Sequence, residues 1–366
     1  MLPFLALFGV TLLWFLLPLL PALRELFAPK DIAPLKVVDR SSGHVAYFAR
    51  NFRQYLERTL PAEAGAGDYA GRLLDGTEFV RVNLKPATIN GASPKVHNQI
   101  VVFDTPITLN GEETFLLEVY ARAPLTSGPG TVFRAVYADR ELTLGPGSRV
   151  LRWTHAGGVL TVGARSLLRG RVSSDTAVRL GTGSVFERIG APVIAAGSEQ
   201  EPPPAPPAAP KTWRPVDARR VGDHWRVEGD LEIPEGVLVK GSLVVAGTLR
   251  VGLGAIVAGS LKAHRDIVLG GEAQVHGSVV SRTRIELGQA AWVGGSLIAE
   301  RDVRLGKDAV VGGPGRPATV SATEVELQDG ATVYGQISAR REARTVGQWA
   351  GGPAGQRGGG AVISGY

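Results

Sequence analysis

The 366-residue chain contains six histidines, at positions 44, 97, 155, 224, 264 and 276, and no cysteine. Without cysteine there is no thiol nucleophile, no Cys-ligated zinc and no disulfide framework. The histidines show no close ligand spacing, so no metal site is expected. A general base for acyl transfer is usually a histidine. His264 and His276 are the two that fall inside the clear repeat described below, and His264 aligns with Thr283 and Glu300, an outward and variable position. Ser166, in GARSLLRG, lacks the flanking glycines of a nucleophile elbow. There is no P-loop and no strand–GxGxxG–helix unit, and Gly252-Leu253-Gly254 belongs to the repeat. Asp266, Glu286 and Asp302 are the carboxylates that a glycan cleft would use, but each has arginines nearby and reads as part of a solvated face. The residues therefore nominate no catalytic, cofactor-binding or metal-binding group, and the expectation is a protein that is not an enzyme and needs no cofactor.

The formal charge is +6, with 32 arginines and 8 lysines and no long basic run. No stacking aromatics accompany the arginines, as single-strand binding requires, so no nucleic acid partner is expected. Glycine is abundant, at 48 residues. Such an excess without a Gly-X-Y period means either flexible linkers or a fold with a turn every few residues.

Two elements stand ahead of the main body. Leu2–Leu23 carries no charge and is followed by Arg24, Lys30, Lys36 and Arg40. As a helix it would rise about 33 Å, enough for a hydrocarbon core of about 30 Å. Nothing basic precedes it and Leu20 spoils the cleavage site, so a membrane span is expected rather than a signal peptide. The flanking charges then place the body on the cytoplasmic side of the membrane, as a single-pass protein. Residues 24–99 form a mixed juxtamembrane segment. Within it, residues 44–60 repeat apolar positions at helical spacing, with Val45, Phe48, Phe52, Tyr55 and Leu56 on one stripe and Pro61 as the stop. That helix suits either a membrane surface or the flank of the following domain.

Four segments then share one register, starting at Gly241, Gly259, Gly277 and Gly295, 18 residues apart. Inside each runs a period of six. One apolar set contains Leu243, Leu249, Leu261, Ile267, Ile285, Leu297 and Val303. Two residues later comes a second, with Val245, Val251, Leu269, Leu287 and Leu305, broken only by Ser281. Residues i and i+2 of a strand share a face. Each hexad is thus a short strand with two inward side chains and a bend, and three hexads make one turn of a three-sided parallel β-helix. A lone coil cannot bury its inward face, but coils stacked about 4.8 Å apart build a continuous column. The same spacing recurs upstream, where YARAPLTSGPGTVFRAV from Tyr120 and YADRELTLGPGSRVLRW from Tyr137 align. The expected organisation is a first β-helix block over 100–190, a Pro-rich linker or loop over 191–225 containing Glu201–Pro210, a second block over 226–340, and a Gly-rich tail over 341–366 expected to be disordered. The fold class is mainly β, preceded by the membrane helix and a short amphipathic helix.

The Gly-Ser-Leu starts, the 18-residue coil and the paired apolar positions over 226–313 resemble the bactofilins, bacterial polymer-forming cytoskeletal proteins. The resemblance implies a right-handed triangular β-helix that assembles end to end without nucleotide and scaffolds envelope-building proteins. The partners it implies are other copies of the chain and those envelope proteins, with the membrane engaged through residues 2–23. The chain departs from the pattern in its upstream block of coils, its long apolar N-terminus and the segment between them. With no capping helix after it, the end carrying Val333 and Ile337 is the candidate assembly end. Two other readings stay open. The pairs Val251-Gly252, Leu269-Gly270, Leu287-Gly288 and Leu305-Gly306 suit the aliphatic-Gly signature of hexapeptide-repeat acyltransferases, whose helix is left-handed. A secreted β-helix adhesin is the other. The period does not give handedness.

Overall fold

The computed structural model describes residues 2–16, 44–60, 68–82, 96–203, 210–216 and 218–347. Met1–Ser42 forms one unit, in which the described element is the helix Leu2–Leu16. This corrects the expected membrane span. Fifteen residues rise only about 22 Å, and no helix among the described residues is long and apolar enough to cross a membrane. The described helix runs to Leu16, two residues before Pro18. A proline disfavours helical geometry in the residue before it, which a count of apolar residues does not register. Residues 17–23 of the expected span lie outside the described residues. The single-pass inner-membrane placement built on that span is likewise not supported.

The second unit, Gly43–Tyr366, is a parallel β-solenoid of about 14 turns with roughly 18 residues per turn. In its later part the inward residues stack as the hexads require. Leu249, Ile267, Ile285 and Val303 lie in one register, and Val251, Leu269, Leu287 and Leu305 in the next. Leu243, Leu261, Val279 and Leu297 form a third column, and Val245 pairs with Ala263 in a fourth. All of these side chains are buried. Ser281, the polar break, is also buried, and its hydroxyl donates to the Arg265 carbonyl at 2.7 Å while accepting from the Thr283 N–H.

Close approach between coils explains the recurrent glycines. A Cβ on Gly259 would sit 2.5 Å from the Gly241 carbonyl carbon. The serine that follows each such glycine forms a ladder of its own. The Oγ of Ser242, Ser260 and Ser278 accepts the N–H of Ser260, Ser278 and Ser296 in turn, at 3.0–3.1 Å.

Upstream, Phe115, Phe133, Val150, Leu168 and Phe186 stack in the same way. Here the corner glycines are followed three residues later by a hydroxyl instead of alanine. Thr131, Ser148 and Ser166 each donate to the carbonyl three residues back, at 2.7–2.9 Å. In the later block the matching positions are Ala255, Ala273, Ala291 and Ala309.

The two blocks join in a way the period does not announce. Within each block neighbouring coils are parallel, but the Val185–Ala196 strand pairs antiparallel with Thr332–Thr345. Ile189 faces Ile337 and Ile194 faces Val333. The last coil of one block therefore caps the last coil of the other, and one apolar core runs through both. Val333 and Ile337, expected at an open end, are fully buried in this junction. The physical reason is that the upstream block supplies the missing edge from within the same chain. Arg341–Thr345, expected in the tail, completes that last strand, whereas 348–366 lies outside the described residues.

The Tyr47–Thr59 helix packs on the outside of the first block. It buries Ala49 and Leu56 against Tyr120, Tyr137 and Trp153, with the Phe52 and Trp153 rings 5.3 Å apart. Of the two arrangements its pattern allowed, the chain adopts the flank of the following domain.

Candidate functional site

Two places on the solenoid bring together groups that a regular coil would leave apart. The first lies under the Tyr47–Thr59 helix. Tyr120, Tyr137, His155, Ser173 and Gly190 occupy one register on successive coils. These positions face outward from the coil, yet His155 is fully buried because the helix covers it. Its Nδ1 lies 2.9 Å from Ser173 Oγ. Its Nε2 has no hydrogen-bond partner and lies 3.6 Å from Asp175 Oδ2. The other oxygen of Asp175 is held by Arg50 of the helix, at 3.2 Å. One turn along, Arg53 reaches Asp139 at 3.0 Å, and the Tyr120 hydroxyl donates to the same carboxylate at 2.7 Å.

The electrostatics follow from this burial. Burial lowers the His155 pKa; Arg50 and Arg53 push the same way, while Asp175 and Asp139 oppose them. The ring is therefore neutral near pH 7. Burial, then Asp139, pushes the Tyr120 phenol up to about 12. Burial works against the Arg53 charge, but Asp139, Tyr137 and Glu57 outweigh it and hold the guanidinium firmly charged.

Beside this cluster, a cleft of about 510 Å³ opens where the helix, Ser173–Asp175, Ala191-Pro192 and Pro317–Thr319 meet. Serine, histidine and aspartate in hydrogen-bonding order invite comparison with a nucleophilic triad. The burial argues otherwise. His155 has no exposed surface and Ser173 is only 4% exposed, so a reacting carbonyl has no approach unless the helix leaves. The set is better described as a buried polar column that fixes the helix in place.

The second place is the outer end of the later block. Its first coil is His224–Val227, Leu231–Ile233 and Leu238–Lys240. Arg219–Val221 covers the first of these strands antiparallel, and Thr212–Trp213 covers the third. Among the described residues, Leu231–Ile233 is paired on one side only, with Leu249–Val251. The Leu231 N–H and the Ile233 carbonyl bond to that neighbour, at 2.9 and 2.8 Å. Successive residues of a strand alternate direction, so the N–H and C=O of Glu232 point along the free edge. Half-buried Trp213, Trp225, Leu231 and Val237 pack against the core at this end. Arg214 and Arg220 lie 5.9 Å from the Trp225 ring centre. The same end carries exposed Glu228, Asp230, Glu232 and Glu235, of which Glu228 pairs with Arg226 at 2.7 Å.

The other residues singled out in the sequence are dispersed. His264 and His276 are exposed, and His276 meets only the edge of Trp292. His97 lies 3.2 Å from Glu113 and stacks on Phe115. Asp302 pairs with Arg284 at 3.3 Å, and Asp266 accepts from Thr283. Glu286 stacks in register with Arg304, which binds Glu326 at 3.2 Å. No group of three histidine or carboxylate side chains among the described residues is placed to hold a metal.

Sequence reasoning missed both clusters. For the first, the signal was the recurrence of Tyr120, Tyr137, His155 and Ser173 at 17, 18 and 18 residues. For the second, it was two tryptophans beside a run of alternating charge.

The architecture defines the class, a parallel β-solenoid whose two blocks meet through one antiparallel strand pair and share one core. Comparison with protein-family models, curated proteins and solved structures finds no match to this chain.

Proposed function

We propose that this protein is a structural element that self-associates end-on through the first coil of its later block. One observation carries the reading: among the described residues, the Leu231–Ile233 edge has an unpartnered side while the strands on either side of it are covered. An uncovered strand edge is a template for another strand. Exposed Arg214 and Arg220 together with exposed Glu232 and Glu235 give this end both signs of charge, with which a second copy turned about a two-fold axis can pair. The bactofilin resemblance of the coils agrees with an assembling, cofactor-free role, and the scaffolding of envelope-building proteins belongs to the same reading.

Sedimentation velocity of the full chain tests this directly. The expected result is a concentration-dependent shift to dimers or longer species, abolished by Glu232→Pro. That substitution removes the free-edge N–H without taking a bond from the Leu249–Val251 strand. A monomer at every concentration overturns the reading.

A further inference from the structure

We propose that His155 is a proton-operated latch for the Tyr47–Thr59 helix, so that acid releases the helix from the first block and opens the cleft beside it. Asp175 lies between the helix and the solenoid. Arg50 holds one carboxylate oxygen at 3.2 Å from the helix side, and the His155 Nε2 lies 3.6 Å from the other from the solenoid side. While the ring is neutral, its Nδ1 is satisfied by Ser173 and Asp175 belongs to Arg50. A proton on His155 changes the account on both sides. It places a charge in a site with no exposed surface, beside a carboxylate whose charge is already paired with Arg50.

Asp175 and Asp139 offset the added charge only in part, because burial outweighs them. From the helix, Arg50 and Arg53 face the ring, and both are cations; Glu57 is engaged by Arg53 at 3.1 Å. From the coil below, Asp139 is already shared between Arg53 and the Tyr120 hydroxyl. Tyr137 packs its ring 4.8 Å from the imidazole and supplies no charge near neutral pH. From the coil above come Ser173 and Asp175. The two carboxylates thus have arginine partners from the same helix, which offset much of the charge they would lend to a protonated His155. Undocking the helix removes Arg50 and Arg53 and lets water reach the ring.

The sign is fixed by linkage. The docked state binds the proton on His155 less well than the undocked state, where the ring is ordinary. Docking is therefore strongest above about pH 6.5 and weakens as pH falls below it, by up to tenfold per unit until the docked ring itself titrates. The cleft lined by Val45, Ala46 and Arg50 opens in the same step, because those residues leave with the helix.

Hydrogen exchange of the full chain, compared at pH 7.5 and 5.0 after correction for intrinsic rates, tests the latch. Amides in residues 50–58 are expected to lose protection tenfold or more at pH 5.0, while strands of the later block keep theirs. In His155→Phe, which fills the site but carries no proton, that differential loss is expected to disappear. Equal loss in both proteins, or no loss in the wild type, overturns the proposal. If His155→Phe does not fold, the ring resonances of wild-type His155 decide. A protonated His155 under a still-protected helix overturns the latch; a ring that protonates only as helix protection is lost supports it.

Discussion

Ser184 and Thr345 bond to each other across the junction of the two blocks. The Ser184 N–H donates to Thr345 Oγ1 at 2.9 Å, and the Thr345 N–H donates to the Ser184 carbonyl at 3.0 Å. Thr345 Oγ1 also donates to the Gly181 carbonyl at 2.7 Å. Within the first block, the corner hydroxyls of Thr131, Ser148 and Ser166 each bond to the carbonyl three residues back in their own coil. Thr345 brings a hydroxyl to that row of corners from the far end of the chain, so the block ends in a donor and acceptor set supplied by its partner.

Thr345→Val keeps the shape of that residue and removes its hydroxyl. The Ser184 N–H then keeps only its longer bond to the Gly181 carbonyl, at 3.3 Å. The expected cost is about 0.5–1.5 kcal/mol, read as a lower urea midpoint with an unchanged slope.

The apolar side of the junction makes a second test. Ile189 and Ile337 are fully buried and paired in register. Truncating either to alanine is expected to cost about 2–4 kcal/mol. Because the two residues share one contact, the double mutant is expected to lose about 0.5–3 kcal/mol less than the sum of the singles. Strict additivity in equilibrium unfolding would mean that the blocks are not packed through this pair.

One corner carries strain that a substitution can relieve. Gly236 and Gly254 have φ values of 61°, and the same corner is taken by Glu272, Ala290 and Asp308 at 55–57°. A Cβ in this left-handed region costs about 1–2 kcal/mol. Ala290→Gly is therefore expected to stabilise the protein by about 1 kcal/mol, less a part lost to the freer unfolded chain, visible as a raised Tm. The neighbouring glycine behaves oppositely. A Cβ on Gly288 would lie 2.7 Å from the Gly271 N, and Gly288→Ala is expected to lower the Tm.

The Tyr120 phenol provides an alkaline test. Its pKa is pushed up to about 12, by burial and by Asp139, from an ordinary value near 10. The folded state thus favours the neutral phenol, so its contribution is full below about pH 10 and fades as pH rises towards 12. In Tyr120→Phe the alkaline fall in stability between those values is expected to be shallower than in the wild type. A tyrosinate signal from Tyr120 that appears at pH 10 in the folded protein would contradict the assigned environment.

The later block was legible because two inward positions recur every six residues, and Leu249, Ile267, Ile285 and Val303 leave no other period to choose. Its glycine corners followed from the same spacing. The junction was not legible. An inward apolar column looks the same whether the next coil runs parallel or antiparallel, so nothing in Ile194 or Val333 announced the reversal that pairs them. The polar column under the helix was hidden for a different reason. Outward positions of a solenoid are ordinarily wet, and Tyr137, His155 and Ser173 read as surface until Ala49 and Leu56 are seen above that face. The apolar N-terminus misled in its length, since hydropathy counts Leu2–Leu23 as one run whereas the described helix ends at Leu16.

The antiparallel junction also sets a timetable for synthesis. The Val185–Ala196 strand leaves the ribosome with one edge uncovered, and the strand that covers it is completed only at Thr345. Roughly 150 residues separate the two, so at about 5–20 residues per second the first block waits with an open edge for about 7–30 seconds. During that interval, the nascent chain is at its most vulnerable to pairing with a neighbour on the same message.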